Sequence, residues 1–280
     1  MSGREAALTG LRAAGSQASD VQAAGLRASG VTVRFGGVTA VDGAALVAPP
    51  ATVTGLVGPA GAGKTTLCDV ICGLRRPVGG TVRLDGTDLT GVPARRRARG
   101  GVARTFHEPS LYGALTVRDN VRIAAELHAM TGPVAGRTAR DRWRRRRAAR
   151  RLAGTVADRL LTRVGIAGYA ADRAKTVPPG VARLAELARA LASEPRLLLL
   201  DGPWRGLPEP AARSLEVLLR DLAAEGLAIL LAEDDLETVI GVCDVLYALD
   251  AGRVIASGPP AEVRADPRVR AAYGRATTAR

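Results

Sequence analysis

From Val31 the chain alternates, and Val31-Thr-Val-Arg-Phe35 sets apolar residues two apart, the period of a half-buried strand. Val38 to Val47 has the same texture, and Ala51-Thr-Val-Thr-Gly-Leu-Val57 reads as a buried strand running into a glycine-rich turn. The pattern then predicts a helix from Lys64 to about Leu74, a turn at Gly79-Gly80 and a strand from Thr81 to Leu84. Helical periodicity dominates the middle, over Val117 to Met130 and Asp141 to about Val164, with a Gly/Pro-containing linker between them. Beyond it come a helix from Arg183 to Ser193, the apolar strand Leu197-Leu-Leu-Leu200, a helix from Glu209 to Ala224 and a strand from Ala228 to Ala232. Strands alternating with helices predict an α/β fold with a mainly parallel sheet covered on both faces, carrying a helical insert over about residues 108–190. Residues 1–28, rich in Ala, Gly and Ser and without a sustained period, read as a mobile extension ahead of one domain over 29–280.

Composition narrows the class. With 280 residues, 47% of them apolar, the chain can bury a substantial core and is not disordered as a whole. Aromatics are only 3%, so Leu, Val and Ala must do the packing. Three cysteines, two of them Cys68 and Cys72 in one apolar stretch, give neither a disulfide framework nor a zinc pattern, and a reducing cytoplasm is expected. No apolar run approaches the roughly 20 residues of a membrane span, and Met-Ser-Gly-Arg-Glu lacks the apolar core of a signal peptide. The net charge of +13 is almost all arginine: Lys64 and Lys175 are the two lysines among 40 basic residues. A lysine kept in such a chain is informative.

Lys64 lies in Gly58-Pro59-Ala60-Gly61-Ala62-Gly63-Lys64-Thr65-Thr66, which matches G-x-x-x-x-G-K-[ST] after a buried strand and before a helix. In such a loop the glycines let successive N–H groups wrap phosphates, the helix N-terminus adds partial positive charge, the lysine reaches the β and γ phosphates, and Thr65 can ligate Mg²⁺. The chemistry also needs an acid. Leu197-Leu-Leu-Leu-Leu-Asp201 ends a buried strand in a carboxylate; alone it would be a turn residue, but beside a phosphate loop it becomes the candidate that holds Mg²⁺ through water.

Over residues from about 26 to 280 the chain resembles the ATP-binding cassette family, and within it the ATPases serving branched-chain and related amino acid importers. The segments that carry the resemblance are Val31-Thr-Val-Arg-Phe-Gly-Gly-Val-Thr-Ala-Val, the phosphate loop, Gly101-Val-Ala-Arg-Thr-Phe106, Leu115-Thr-Val-Arg-Asp-Asn-Val121, Glu186-Leu-Ala-Arg-Ala-Leu191 and Gly252-Arg-Val-Ile-Ala-Ser-Gly258 with its Pro-x-Glu-Val helix. The resemblance implies a P-loop NTPase fold with an antiparallel β subdomain, ATP and Mg²⁺ as cofactors, and Phe35 stacked on adenine. Phe35 could equally be a core aromatic on an edge strand. It also implies multi-span membrane permease subunits as partners, a second cassette, a solute-binding protein indirectly, and a place on the cytoplasmic face of the cell membrane.

Five positions depart from that family's pattern. His107 stands where a glutamine follows Arg-Thr-Phe. Val177-Pro178-Pro179-Gly180-Val181 replaces Leu-Ser-x-Gly-Gln, so the serine that would touch a partner's γ-phosphate is Pro178. Gly202 stands where a glutamate polarises the attacking water, Gly206-Leu207-Pro208 replaces a loop ending in Asn or Asp, and Asp234 stands where a histidine would sit. Hydrolysis needs a positioned water, a proton acceptor and donors on the γ-phosphate. These substitutions predict that nucleotide binding survives while turnover is impaired, and that the chain pairs with an intact paralogue. The competing reading is a soluble regulatory or nucleic-acid-associated ATP-binding module outside transport. The runs Arg95-Arg-Arg-Ala-Arg99 and Arg142-Trp-Arg-Arg-Arg-Arg147 with Arg150-Arg151 fit a solvated helix face, a contact with the leaflet or a membrane partner, or nucleic acid; nucleic acid is the least expected partner.

Overall fold

The computed structural model describes residues 24–131 and 139–278, so residues 1–23 of the expected extension and the linker between the two middle helices lie outside the described residues. The chain forms two compact units, one from residues up to Val92 together with those from Ala228 onward, the other from Pro93–Leu227. In chain order the first unit begins with β1 (Leu26–Phe35), β2 (Val38–Ala48), β3 (Thr52–Val57), α1 (Lys64–Cys72), β4 (Gly79–Leu84) and β5 (Thr87–Asp88). The second holds α2 (Ala94–Arg99), β6 (Val102–Arg104), α3 (Val117–Thr131), α4 (Ala139–Arg163), α5 (Pro179–Leu191), β7 (Leu197–Asp201) and α6 (Glu209–Ala224). The chain then returns to the first unit as β8 (Ala228–Glu233), α7 (Leu236–Ile240), β9 (Val245–Asp250), β10 (Arg253–Gly258), α8 (Pro260–Ala265) and α9 (Pro267–Thr278).

In the first unit β3 lies between β8 and β9 and runs parallel to both, while β10 closes against β9 as an antiparallel hairpin. All six residues of β3 are buried, as a strand covered on both faces requires. A separate antiparallel sheet joins β2, β1, β4 and β5 in that order, and the inward residues of β1 and β2 alternate with exposed ones. In the second unit β6 pairs in parallel with β7, all five of whose residues are buried. Small side chains line the buried side of α4, where Ala149, Ala153 and Ala157 lie inside with Leu160 and Leu161. Among the described residues no helix is long and apolar enough to cross a membrane. Cys68, Cys72 and Cys243 are buried.

Three local expectations are corrected. The first sheet begins inside the expected extension, because Leu26 and Ala28 are each 1% exposed and pair with Ala48 and Leu46 of β2 and with Leu84 and Val82 of β4. Alanine's weak strand tendency hid this register, which neighbouring strands supply. Gly79 and Gly80 open β4 instead of forming a turn: β1 shifts register between Ser29 and Thr32, and a Cβ on Gly80 would stand 2.4 Å from the Gly30 carbonyl. The helix expected from Arg183 starts at Pro179, whose ring presets the backbone angle of a first helical residue.

Leu56, with 0% exposure in the central strand, sets a test of this core. Leu56→Ala should lower unfolding stability by about 2 to 5 kcal/mol, while Val38→Ala, at a site 67% exposed, should stay within about 0.5 kcal/mol. Urea unfolding followed by circular dichroism measures both; equal midpoints would mean that β3 is not the core strand.

Candidate functional site

Within the first unit Val57 sits opposite Glu233 of β8 and opposite Ala248 of β9. The segments leaving β3 and β8 therefore emerge side by side. Gly58 passes so close to β9 that a Cβ on it would stand 2.1 Å from the Leu249 carbonyl oxygen. Gly63 has φ 107°, and its Cβ would meet the Ala40 carbonyl oxygen at 2.5 Å, so only glycine fits there. Between them the Ala62 N–H donates to the Pro59 carbonyl, while Ala60, Gly61 and Thr65 are exposed and Thr66 is half-buried. Gly63 caps α1 without a side-chain bond, and no acid lies in the first turn. The helix N-terminus thus keeps its positive end for an outside anion.

Lys64 folds back into its own loop. Its ammonium donates to the carbonyl oxygens of Gly58 at 2.7 Å and Pro59 at 2.9 Å, and stands 2.8 Å from Asp234 Oδ1. The two adjacent aspartates divide their work: Asp235 caps α7, accepting from the Glu237 N–H and the Thr238 hydroxyl, while Asp234 pairs with the lysine. The Asp234 side chain is 50% exposed, so the pair contributes no more than about 1 kcal/mol and an incoming anion can displace it. An oxyanion already rests on the loop lysine, and the loop fits a phosphate-bearing ligand on that observation. Tyr273 of α9 stands against the same loop; burial pushes its phenol up, the charges of Asp235 and Asp234 add to that, and the Gly58 backbone opposes it.

Phe35 ends β1, is 43% exposed, and has the Arg75 guanidinium 4.1 Å from its ring centroid. It is too exposed for a core aromatic, and it pairs with Val38 of β2 beyond the stretch of β1 that β4 flanks.

In the second unit Asp201 ends β7, 4% exposed, and pairs at 3.1 Å with Arg104 of β6, whose guanidinium lies over the Phe106 ring. Gly202 follows with φ 61°, and a Cβ there would stand 3.6 Å from His107 Nδ1. A glutamate at 202 would be strained by that backbone, although its Cβ would meet His107 only at ordinary contact distance. Pro178 is the N-cap of α5 and makes no side-chain cap bond, where a serine could. Pro179 is exposed, and Gly180 is buried with its Cβ direction 2.7 Å from the Gly206 carbonyl oxygen.

A polar stripe on α5 escaped the sequence reading. Arg183 donates to the carbonyls of Arg205 and His107, Glu186 accepts from the N–H groups of Phe106 and Ser110, and Arg189 donates to the Ser110 carbonyl and to Glu186. Together they hold segment 106–110. The available signal was three charged residues at i, i+3 and i+6 on an otherwise apolar helix. Burial raises the Glu186 carboxyl above its usual value, opposed by the Ser110 and Phe106 N–H groups and by the Arg189 and Arg183 charges.

Glu186→Gln keeps the shape but turns an amide NH₂ toward one of those N–H donors. It should lower stability by about 1 to 3 kcal/mol. The pH dependence has a definite sign. A carboxyl with a raised folded value contributes stability that is complete below the unfolded value of 4.5 and is lost as pH rises through the folded one. Wild-type stability should therefore carry a component that falls with rising pH above that point and is missing from the variant. Thermal melts across pH check this, and parallel curves would remove the role given to Glu186.

Comparison with known proteins agrees with this geometry. The ABC transporter family model matches residues 41–205, and the branched-chain amino acid ATP-binding cassette transporter model matches residues 253–273, which include Tyr273. The chain is 35% identical over 249 residues to the high-affinity branched-chain amino acid transport ATP-binding protein BraF of Pseudomonas aeruginosa, covering 89% of this chain and 96% of that protein. It is 34% identical, with the same coverages, to the protein LivG of Escherichia coli, which bears the same description. A solved nucleotide-free ATP-binding cassette from an ABC transporter superposes with a TM-score of 0.74 at 26% identity, covering 89% of this chain and 98% of that one. The chain belongs to the ABC transporter family, whose cassette is a nucleotide-binding domain, and is homologous to the ATP-binding proteins of branched-chain amino acid transport.

Proposed function

We propose that this chain is the ATP-binding subunit of an importer for branched-chain or related amino acids, one that binds nucleotide and hydrolyses it weakly or not at all. The observation that carries the reading is Lys64, buried in a glycine loop at the head of α1 and already holding an oxyanion. Residues Gly58 to Thr66 would cradle the phosphates, with Lys64 leaving Asp234 to neutralise them. Thr65 would ligate Mg²⁺ and Asp201 would hold it through water, the hard cation taking its remaining ligands from phosphates and water. When bound, Mg²⁺ offsets the charge of the phosphate oxygens. Phe35 would offer a ring face to adenine. Weak turnover is supported by Gly202, whose hydrogen side chain accepts no proton, and by Pro178, which has no hydroxyl to offer a neighbouring cassette. The partners proposed are multi-span permease subunits, an intact cassette paralogue and, through the permease, a solute-binding protein, with the chain peripheral on the cytoplasmic face of the cell membrane.

Calorimetric titration with Mg·ATP tests the binding half. Lys64→Ala should weaken affinity by about 2 to 3 kcal/mol, roughly 30- to 150-fold. Unchanged affinity would reject the loop as the site.

Asp234 provides the second test. ATP brings one more phosphate charge toward that carboxylate than ADP does, so Asp234→His should strengthen ATP binding about fivefold, the equivalent of about 1 kcal/mol, and ADP less. Phosphate release should stay low in this variant because Gly202 is unchanged. An unaltered ATP-to-ADP affinity ratio would separate Asp234 from the ligand, and turnover near about 10 s⁻¹ would overturn the impaired-hydrolysis reading.

A further inference from the structure

In the second unit α3 and α4 run antiparallel, tied by the ion pairs Arg118 to Asp158 and Arg150 to Glu126. The C-terminal end of α3 therefore lies beside the N-terminal end of α4, and there the chain concentrates its positive charge. α4 carries ten arginines against two aspartates in 25 residues. Arg140, Trp143, Arg144, Arg147 and Arg151 recur at i, i+3, i+4, i+7 and i+11, one face of a helix, and all five are exposed. Ala149, Ala153 and Ala157 take the packed side. Among the described residues no carboxylate pairs with Arg140, Arg144, Arg147 or Arg151, and the Arg147 guanidinium lies 5.5 Å from the centre of the Trp143 ring.

Such a face would meet a polyanion, and its apolar members say which. Trp143 is 58% exposed, and Leu127 and Met130 on the adjoining end of α3 are 57% and 40% exposed. Nucleic acid would use the cations and, in a single strand, the indole plane, but it offers nothing to two aliphatic side chains. A bilayer interface uses all of them: cations meet lipid phosphates, an indole settles at headgroup level, and aliphatic groups enter the acyl boundary.

We propose that this end of the α3–α4 hairpin docks directly on an anionic lipid bilayer, with Arg140, Arg144, Arg147 and Arg151 on headgroup phosphates and Trp143, Leu127 and Met130 in the interfacial layer. This contact needs neither nucleotide nor a permease, so it stands apart from the function proposed above. The test uses the purified full-length chain without nucleotide and vesicles of phosphatidylcholine, or of an equal mixture with phosphatidylglycerol. Binding should appear on the mixed vesicles alone, weaken with salt, and bring Trp143 within reach of lipids brominated on their acyl chains, a quenching lost in Trp143→Phe. Replacing Arg144, Arg147 and Arg151 together by glutamine should lower partitioning about 100-fold, at about fivefold for each charge. These side chains are exposed, so the melting temperature should not move; if that variant fails to fold, salt dependence and quenching in the wild type still decide. Equal binding to both vesicle types, a folded triple variant that binds as wild type does, or tighter binding to an oligonucleotide than to mixed vesicles at the same salt would each overturn the proposal. Loss of ATP binding in Lys64→Ala is read without lipid, so the two readings fail separately.

Discussion

Strand register is the constraint on which the candidate site depends. Setting Val57 opposite both Glu233 and Ala248 makes β3 and β8 end at one level, with parallel β9 running on to Asp250 beside them. The loop from β3 is thereby pressed against the Leu249 carbonyl, where only glycine at 58 fits, and Asp234 emerges beside Lys64. A slip of one residue would turn every side chain of β3 to the opposite face and separate the lysine from its carboxylate. Burial of these strands makes such a slip prohibitive, since none of their core residues has a wet face to accept.

The same register accounts for the state of the loop. An ammonium taken out of water needs acceptors for its three donors. Two backbone carbonyls and Asp234 supply them, so Lys64 is held in place before any ligand arrives. Because Asp234 is half exposed while the carbonyls belong to the loop itself, the carboxylate is the partner that gives way. The site is thus preorganised for an oxyanion and guarded by one of its own.

The second unit solves a different problem. Segment 106–110 has no strand or helix hydrogen bonds of its own, and the stripe Arg183, Glu186 and Arg189 satisfies its backbone groups from one side. A carboxylate with 0% exposure is tolerated only with such donors around it. At Gly202 the left-handed backbone suits glycine, which alone adopts it without strain.

Much of this was legible locally. The glycine-rich loop, the buried runs at Val53–Val57 and Leu197–Leu200 and the long middle helices announce themselves because glycine freedom and hydrophobic periodicity act over a few neighbouring residues. The start of β1 and the glycines opening β4 did not, because a bulge at Ser29–Thr32 and a strand some fifty residues away decide them together. Nor does the chain say which of Asp234 and Asp235 caps a helix and which holds a lysine: the two have the same side chain and share a peptide bond. The sequence by itself determined the elements and the loop that suits an anion, through forces that reach one helical turn. Tertiary structure alone decided which charges meet, because ion pairs and buried acceptors depend on where strands from distant parts of the chain end in space.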